Sequence, residues 1–297
     1  MSLLLSGCGG QALSQREIVR GVLFDRQNGD YSVCLVLADQ NAEETAQANK
    51  VACALGDTPA QALQNAEQSL PGSVYYGLLD LAALPADVDW QMARELGMLL
   101  YENAQPAPEL SVFVLDTRPV NSWAREGAQL YQGMKSLEDT ARVHCGLQQL
   151  FAQKDVCAVP GYAAEGGYDL VLLPRDGPSV RCRGLEEAQL AAVLCGQTTH
   201  LQGTYAAGSA SCRARANVTM QNGTVQLHLR EVELRSLYGG EGDLEALLCQ
   251  SLQRAFGALN YRMQAAGADP FRLRFWQACS YGPGTVPERI TLEVTFE

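Results

Sequence analysis

The chain has 297 residues, of which 47% are hydrophobic and 19% are charged, so it is long enough to form two or three small globular domains. Its formal net charge of −11 argues against a nucleic-acid-binding protein, because such binding depends on Lys and Arg side chains that neutralise phosphates. The same charge argues against electrostatic attachment to anionic lipid headgroups. No run of about 18 apolar residues follows Cys8, so the sequence predicts no membrane-spanning helix after that position.

A short motif near the start of the chain predicts a covalent lipid anchor. The sequence Leu-Ser-Gly-Cys at residues 5–8 matches a lipobox, in which small residues precede the cysteine that becomes the mature N-terminus. A diacylglyceryl group on the Cys8 sulfur would place two acyl chains in the bilayer, and two chains hold a protein there stably. We therefore predict lipidation at Cys8, with residues 1–15 as lipobox and tether. The alternative interpretation is that residues 3–10 are only an apolar terminus.

The residues before Cys8 are too few for a complete signal peptide. Such a peptide needs a basic region followed by about 7–15 apolar residues. Residues 1–7 contain neither Lys nor Arg. We expect the natural start of translation to lie upstream.

The ten cysteines of the chain do not form a recognisable disulfide pattern. Without Cys8 their number is odd, and no CxxC pair occurs among the others. Cys34, Cys53, Cys195 and Cys249 lie in apolar sequence contexts, where free cysteine acts as a small core residue. We predict buried free thiols at these positions, with one or two disulfides as the alternative.

Residues 16–160 are predicted to form an N-terminal α+β domain with a helical extension. Apolar and polar residues alternate on both sides of an Asn-Gly pair at 28–29, which is typical of a β-hairpin, here over 16–39. Thr58 can cap a helix whose first turn accepts Pro59. The other predicted elements are strands at 50–55, 74–84 and 110–115, a helix opened by Asp87, and helical structure over 118–152 with a capping-box-like sequence at 136–139.

Residues 161–200 are predicted to form a small middle unit, entered through a Gly-rich linker at 160–167. Its elements are strands at 168–173 and 179–183 and a helix at 185–194 that is closed by Gly196. Glu186 and Glu187 on this helix are predicted to be ordinary solvated charges, because adjacent residues do not share a helix face.

Residues 201–297 are predicted to form a C-terminal α+β domain with a long helix. Its elements are strands at 209–220 and 224–234, a helix that begins at Asp243, and a last strand at 289–296. The sequence therefore predicts an α+β protein of three small units, each a mostly antiparallel sheet with helices packed on one side.

The sequence favours a protein without catalytic activity. His144, His200 and His228 are the candidates for an imidazole base, and no GxSxG or ordered Ser/His/Asp pattern accompanies them. His228 is most simply a strand side chain. His144 with Cys145 and Cys195 with His200 could converge on zinc, but neither pair has finger-type spacing. We therefore predict no catalytic residue, no metal site and no cofactor, and the sequence does not identify ligand-binding residues.

Several segments, taken in order, match one family in pattern. They are the lipobox, residues 15–25, the segment Tyr75–Leu81, the strand-to-helix segment Gly184–Gly196, and the C-terminal helix followed by Ala268–Phe271 and the Phe-Trp pair at 275–276. In these segments the chain resembles the Ger(x)C family, the lipoprotein C subunits of spore nutrient-germinant receptors. Two positions depart from the family pattern. Leu78 stands where the family usually has His, and Arg272 and Leu273 replace a Gly-rich turn.

The resemblance implies a non-enzymatic, lipid-anchored subunit of a membrane receptor that initiates spore germination. The implied partners are an integral-membrane transporter-like subunit and a second membrane-embedded subunit, with no nucleic acid. The implied location is the outer face of the cytoplasmic membrane, which is the inner membrane of the spore.

A second function from another class is a lipid-anchored solute-binding protein of a transporter. Such proteins usually have two larger α/β lobes with βαβ repeats, whereas the strands predicted here come in hairpins. A well-formed cleft between lobes, able to bury most of a small ligand, would favour this alternative.

Overall fold

The computed structural model describes residues 16–27, 29–38, 50–116, 120–140, 143–152, 155–163, 167–206, 210–221, 224–237, 243–282 and 290–297. Sheets and helices are combined as in an α+β protein, so the predicted fold class is confirmed. The strands are β1 (Arg16–Gln27), β2 (Asp30–Leu37), β3 (Lys50–Gly56), β4 (Ser73–Tyr75), β5 (Leu81–Leu84), β6 (Ser111–Leu115), β7 (Val156–Tyr162), β8 (Tyr168–Pro174), β9 (Val180–Cys182), β10 (His200–Tyr205), β11 (Ala210–Gln221), β12 (Thr224–Ser236) and β13 (Thr291–Phe296). The helices are α1 (Pro59–Gln68), α2 (Trp90–Ala104), α3 (Val120–Thr140), α4 (Leu147–Ala152), α5 (Gly184–Leu194), α6 (Leu244–Ala266) and α7 (Leu273–Tyr281).

The larger sheet is parallel at its centre and antiparallel at both ends. Its order is β3-β2-β1-β5-β6-β7-β8-β9, with β4 paired to β1. The pairs β1·β5, β5·β6 and β6·β7 are parallel, because a helix crosses over between β5 and β6 and two helices lie between β6 and β7. The hairpins β1·β2 and β7·β8 supply antiparallel pairs on either side.

Helices cover both faces of the larger sheet, where the sequence predicted one face. Leu23 and Phe24 are adjacent in β1 and point to opposite faces. Phe24 packs in the core formed with α1 and α2, whereas Leu23 packs with Leu130 and Met134 of α3. The parallel centre explains this arrangement, because parallel strands are normally buried on both faces.

The second sheet has the order β10-β11-β12-β13 and is covered by helices on one face. Val225, Leu227 and Leu229 of β12 point into a core that includes Leu252 and Phe256 of α6. The intervening residues of β12 are less buried, so the opposite face is polar and partly exposed. β13 runs parallel to β12, since α6 and α7 carry the chain back before it begins.

Helix α5 lies between the two sheets. It packs against β8 of the larger sheet and β10 of the second one, and residues 188–193 are buried without interruption. The apolar run at 190–194 of α5 needs such an enclosed position. Strands β8 and β9, which the sequence places in a separate middle unit, extend the larger sheet instead. The division of the chain into domains at residues 160 and 200 stays a prediction.

Two of the helix-start signals predicted from the sequence are confirmed, and two are wrong. Thr58 caps α1 by accepting the N–H of Gln61, and Pro59 is in its first turn. Helix α2 begins after Asp89 rather than Asp87, because a turn at 85–88 first places the side chain of Val88 in the core. The sequence at 136–139 does not start a helix but lies within α3, whose apolar face continues through Leu137.

The predicted Gly-rich linker at 160–167 is wrong in its first part. Pro160 and Gly161 belong to β7, where they pair with Leu170 and Asp169 of β8. A Cβ atom added at Gly161 would lie 3.0 Å from Cβ of Asp169, so a glycine suits this close approach of two strands.

The free-thiol prediction is wrong for two of its four cysteines. Cys34 and Cys53 face each other in the register of β2 and β3 and form a disulfide, with their Cα atoms 4.1 Å apart. Their apolar contexts hid this pairing, which depends on the register of β2 and β3, two consecutive strands. Cys195 and Cys249 are free, as predicted, but they are half-buried rather than buried.

Candidate interaction site

A groove of about 540 Å³ lies on the second sheet beside its helices. Its lining comes from the end of α5 and the loop after it, from β11 and the start of β12, and from α7. The described residues that line it include both apolar and hydroxyl-bearing side chains, and none of them is charged. We describe this feature below as the β11 groove.

The floor of the β11 groove is a stretch of strand that has a neighbour on one side. β10 begins at His200, opposite Arg215, whereas β11 continues to Gln221 with β12 as its partner. Ala216 donates its N–H to the carbonyl oxygen of Thr199 over 2.8 Å, just before this stretch. Within the described residues, no strand pairs with β11 on that side after Arg215.

Helix α7 forms one wall of the β11 groove. The two carboxylate oxygens of Asp269 accept the N–H groups of Leu273 and Arg274, at 2.8 and 2.9 Å, and thereby fix the start of the helix. Leu273 is buried, whereas Phe275 and Trp276 are 55% and 52% exposed. Their rings meet edge to face with centroids 5.6 Å apart. The wall therefore presents a large, ordered aromatic surface to solvent.

The outer face of the second sheet carries a row of hydrogen-bonded polar side chains. His228, which the sequence predicted as a strand side chain, is on β12. Its Nε2 lies 3.0 Å from the Thr219 hydroxyl, and its Nδ1 lies 2.9 Å from that of Thr295. Thr219 also lines the β11 groove. The groove thus has an apolar side toward the helices and a polar side toward this row.

The other residues weighed as ligands do not converge. Nδ1 of His144 is 3.9 Å from a carboxylate oxygen of Glu138, and the sulfur of Cys145 is 3.7 Å from that of Cys157. His200 is exposed at the start of β10. Among the described residues, no group of three or more His, Cys, Asp or Glu side chains is placed to hold a metal ion.

Cys8 lies outside the described residues, so its lipidation stays a prediction.

The free thiols of the described residues do not form an exposed, reactive cluster. Mutual hydrogen bonding with Cys157 and burial raise the pKa of Cys145 well above its ordinary value. Burial likewise raises the pKa of Cys182 and of Cys195. These groups stay protonated and are poor nucleophiles in the folded protein.

Asp80 is the centre of a polar network that the sequence did not reveal. It belongs to the family-like segment Tyr75–Leu81 and pairs with Arg20 of β1 at 2.5 Å. The Tyr131 hydroxyl of α3 donates to Asp80 over 2.8 Å. Burial, and then the Asp80 charge, raise the pKa of Tyr131, which keeps the phenol as the donor. A Cβ atom at Gly21 would lie 2.9 Å from the Tyr131 ring, so glycine leaves room for this contact.

Glu186 and Glu187 are not the solvated charges that the sequence predicted. Glu187 pairs with Arg262 of α6 and also accepts the N–H of Arg183 at 2.7 Å. The hydroxyl of Ser251, also on α6, donates to Glu186 over 2.6 Å. The two carboxylates join α5 to α6, because α6 packs directly against the start of α5.

Gln189 makes the corresponding connection between α5 and β10. Its side-chain oxygen accepts the N–H of Gln202 and the hydroxyl of Tyr205, each over 2.9 Å, and its amide donates to the carbonyl oxygen of Gln202. The family-like segment Gly184–Gly196 therefore supplies the bonds that hold the second sheet and its long helix in place.

The comparisons with known proteins are sparse. No family model matches the chain, and no curated protein matches it. A solved structure described as "Crystal Structure of the GerBC protein" is similar over 94% of this chain and 96% of that chain, with 12% sequence identity and a TM-score of 0.46. At this TM-score the likeness carries no argument about function.

Proposed function

We propose that this chain is a lipid-anchored, non-enzymatic subunit of a membrane nutrient-germinant receptor that initiates spore germination. The observation that carries the proposal is that the segments resembling the family connect the main structural elements of the fold. The segment Gly184–Gly196 forms α5, the helix between the sheets, and the family-like C-terminal helix α6 is bonded to it through Arg262 and Ser251. Two segments that resemble the family at separate places in the sequence are thus bonded to each other in the structure.

In this proposal the protein is tethered through Cys8 to the outer face of the cytoplasmic membrane, the inner membrane of the spore. Its partners are a transporter-like integral-membrane subunit and a second membrane-embedded subunit. No helix among the described residues is long and apolar enough to span a bilayer. In the proposal, attachment to the membrane comes from the lipid on Cys8.

The position of the β11 groove favours a receptor subunit over a solute-binding protein. Its described lining comes from one sheet and the adjoining ends of α5 and α7, not from two facing lobes. A solute-binding protein would be expected to enclose its ligand between lobes.

Loss of the gene should leave sporulation intact but make spores unresponsive to the nutrient that the receptor detects. The reason is that the membrane complex would lack its tethered subunit, while steps downstream of the receptor would remain. Deletion spores would be tested for germination on a panel of amino acids and sugars and, separately, with calcium dipicolinate as a receptor-independent trigger.

Loss of both responses would contradict the proposal and indicate a general envelope role. A growth defect of vegetative cells on one solute, with germination unchanged, would favour the solute-binding protein.

A further inference from the structure

We propose that the open edge of β11 binds an extended segment of another protein chain, which adds to the second sheet as a strand. The site begins after Arg215, the last residue of β11 that lies opposite a residue of β10, and runs to Gln221. Strand addition of this kind obtains affinity from main-chain hydrogen bonds and specificity from side-chain pockets. The inference does not depend on the receptor proposal.

The direction of the main-chain groups follows from one observed bond. The N–H of Ala216 points toward β10, since it donates to Thr199. Main-chain groups alternate between the two sides of a strand, so Val218 and Met220 direct their N–H and C=O groups to the same open side. Asn217 and Thr219 direct theirs to β12, in register with His228 and Gln226. Four main-chain groups of β11, besides the Ala216 carbonyl, therefore have no strand partner among the described residues and can pair with an added strand.

The length of this edge sets the size of the bound segment. Three residues of β11, Ala216, Val218 and Met220, direct their main-chain groups to the open side. The span from Ala216 to Met220 is about 13 Å at the usual rise per residue. A segment of about five residues covers that distance.

The walls of the β11 groove set the chemistry of the segment. Side chains of Val218 and Met220 lie against the apolar core of the second sheet, on the same side as Leu273 and Trp276 of α7. Alternate residues of the segment should therefore be apolar, and those between them should be polar, facing Thr219 and its neighbours.

Charge narrows the choice of segment further. No described residue that lines the groove is charged. Beside Leu273 in its wall, Arg272 already pairs with Asp155, so the exposed Arg274 supplies the positive charge on this side. The segment itself should be uncharged, with an acidic residue tolerated at the end nearest to α7. The fitting partner is thus an extended, alternating peptide with a neutral or acidic character.

A designed peptide tests this inference directly. The probe is a fluorescent, capped hexapeptide that alternates Val and Thr and ends in Glu. Its control has the same side chains, but the amides of every second residue are N-methylated, which removes main-chain donors. Fluorescence anisotropy should show saturable binding of the probe to the full protein, and N-methylation should weaken it by about tenfold or more, because two hydrogen bonds are lost.

A matched pair of protein variants tests the same main-chain hydrogen bonding by changing β11 instead of the peptide. Val218→Pro removes an N–H that points to the open edge and makes no bond to β12, so the β11·β12 ladder is retained. Val218→Ala removes side-chain atoms but keeps that N–H. Proline should weaken binding by about tenfold, and alanine should weaken it by less.

Three outcomes of the peptide-binding experiments would overturn the inference. They are absence of probe binding at concentrations up to about 1 mM, equal binding of the plain and N-methylated peptides, and a Val218→Ala effect as large as that of proline in a folded protein. A dimer of the free protein that Val218→Pro dissociates would also overturn it, by identifying a second copy of this chain as the partner. The comparison of the plain and N-methylated peptides uses the unmodified protein. It therefore remains valid even when a variant folds poorly.

Discussion

Phe256→Ala should lower the free energy of unfolding by ~3–5 kcal/mol, the usual cost of removing a fully buried aromatic side chain. Phe256 is 2% exposed and lies on the face of α6 that packs against the second sheet, between Leu252 and Leu259. The loss would be a large part of the stability of an ordinary domain. Urea denaturation followed by circular dichroism measures it.

Tyr261→Ala on the same helix is the matched control, because Tyr261 is 73% exposed. We expect this variant to stay within about 0.5 kcal/mol of the parent. If Phe256→Ala unfolds at the same urea concentration as the parent, α6 does not pack on the sheet as described. A large loss from Tyr261→Ala would equally contradict the assignment of the two faces of α6.

Cys8→Ala should abolish lipid labelling and release the protein from the membrane fraction. The expected effect is complete rather than partial, because the thioether bond has no other attachment atom at this residue. The precursor with its natural signal sequence would be produced in a Gram-positive host with a labelled fatty acid, and the membrane and soluble fractions would be compared. Cys279→Ala is a suitable control, because Cys279 is an exposed free thiol outside the motif.

Unchanged labelling of Cys8→Ala would refute the lipobox. Loss of labelling without release from the membrane would show that another contact, such as a partner subunit, also holds the protein there. Equal loss in Cys279→Ala would indicate that the label is not specific to the motif.

Local signals in the sequence predicted much of the fold because neighbouring residues determine them. Thr58 caps its helix as predicted, and α6 begins at the predicted Asp243; each side chain accepts the main-chain N–H three residues later. The strands on either side of residues 28–29 pair in the predicted hairpin, with Gly29 at a positive φ of 96°. The apolar residues Leu248, Leu252, Phe256 and Leu259, whose three- and four-residue spacing predicts one face of a helix, are likewise buried on α6.

Features that join distant parts of the chain were not predictable in this way. The Cys34–Cys53 disulfide depends on strand register, and the ion pair of Glu187 with Arg262 depends on which helices become neighbours. Each of these residues has an ordinary sequence context. A usable signal was the apolar run at 190–194 in the second half of α5, which indicates that this part of the helix is enclosed.

The β11 groove was missed for the same reason. It combines the late start of β10, at His200, with the position of α7, and nothing near Arg215 indicates that pairing with β10 ends there. Helix α7 itself was not predicted. Asp269 accepts main-chain N–H groups at the start of α7, but Arg272 occupies the N-cap position and makes no side-chain cap bond, so the usual capping signal is missing.

The central claim is that this chain works as one subunit of a membrane receptor, and its most direct test is the composition of the complex that it forms. The natural chain, tagged at its C-terminus, would be solubilised from spore inner membranes in a mild detergent, purified, and analysed by quantitative mass spectrometry. We predict that two integral-membrane proteins, one of them transporter-like, copurify with it in a fixed ratio. Recovery of the chain alone, or together with a solute permease and its ATPase, would contradict the claim.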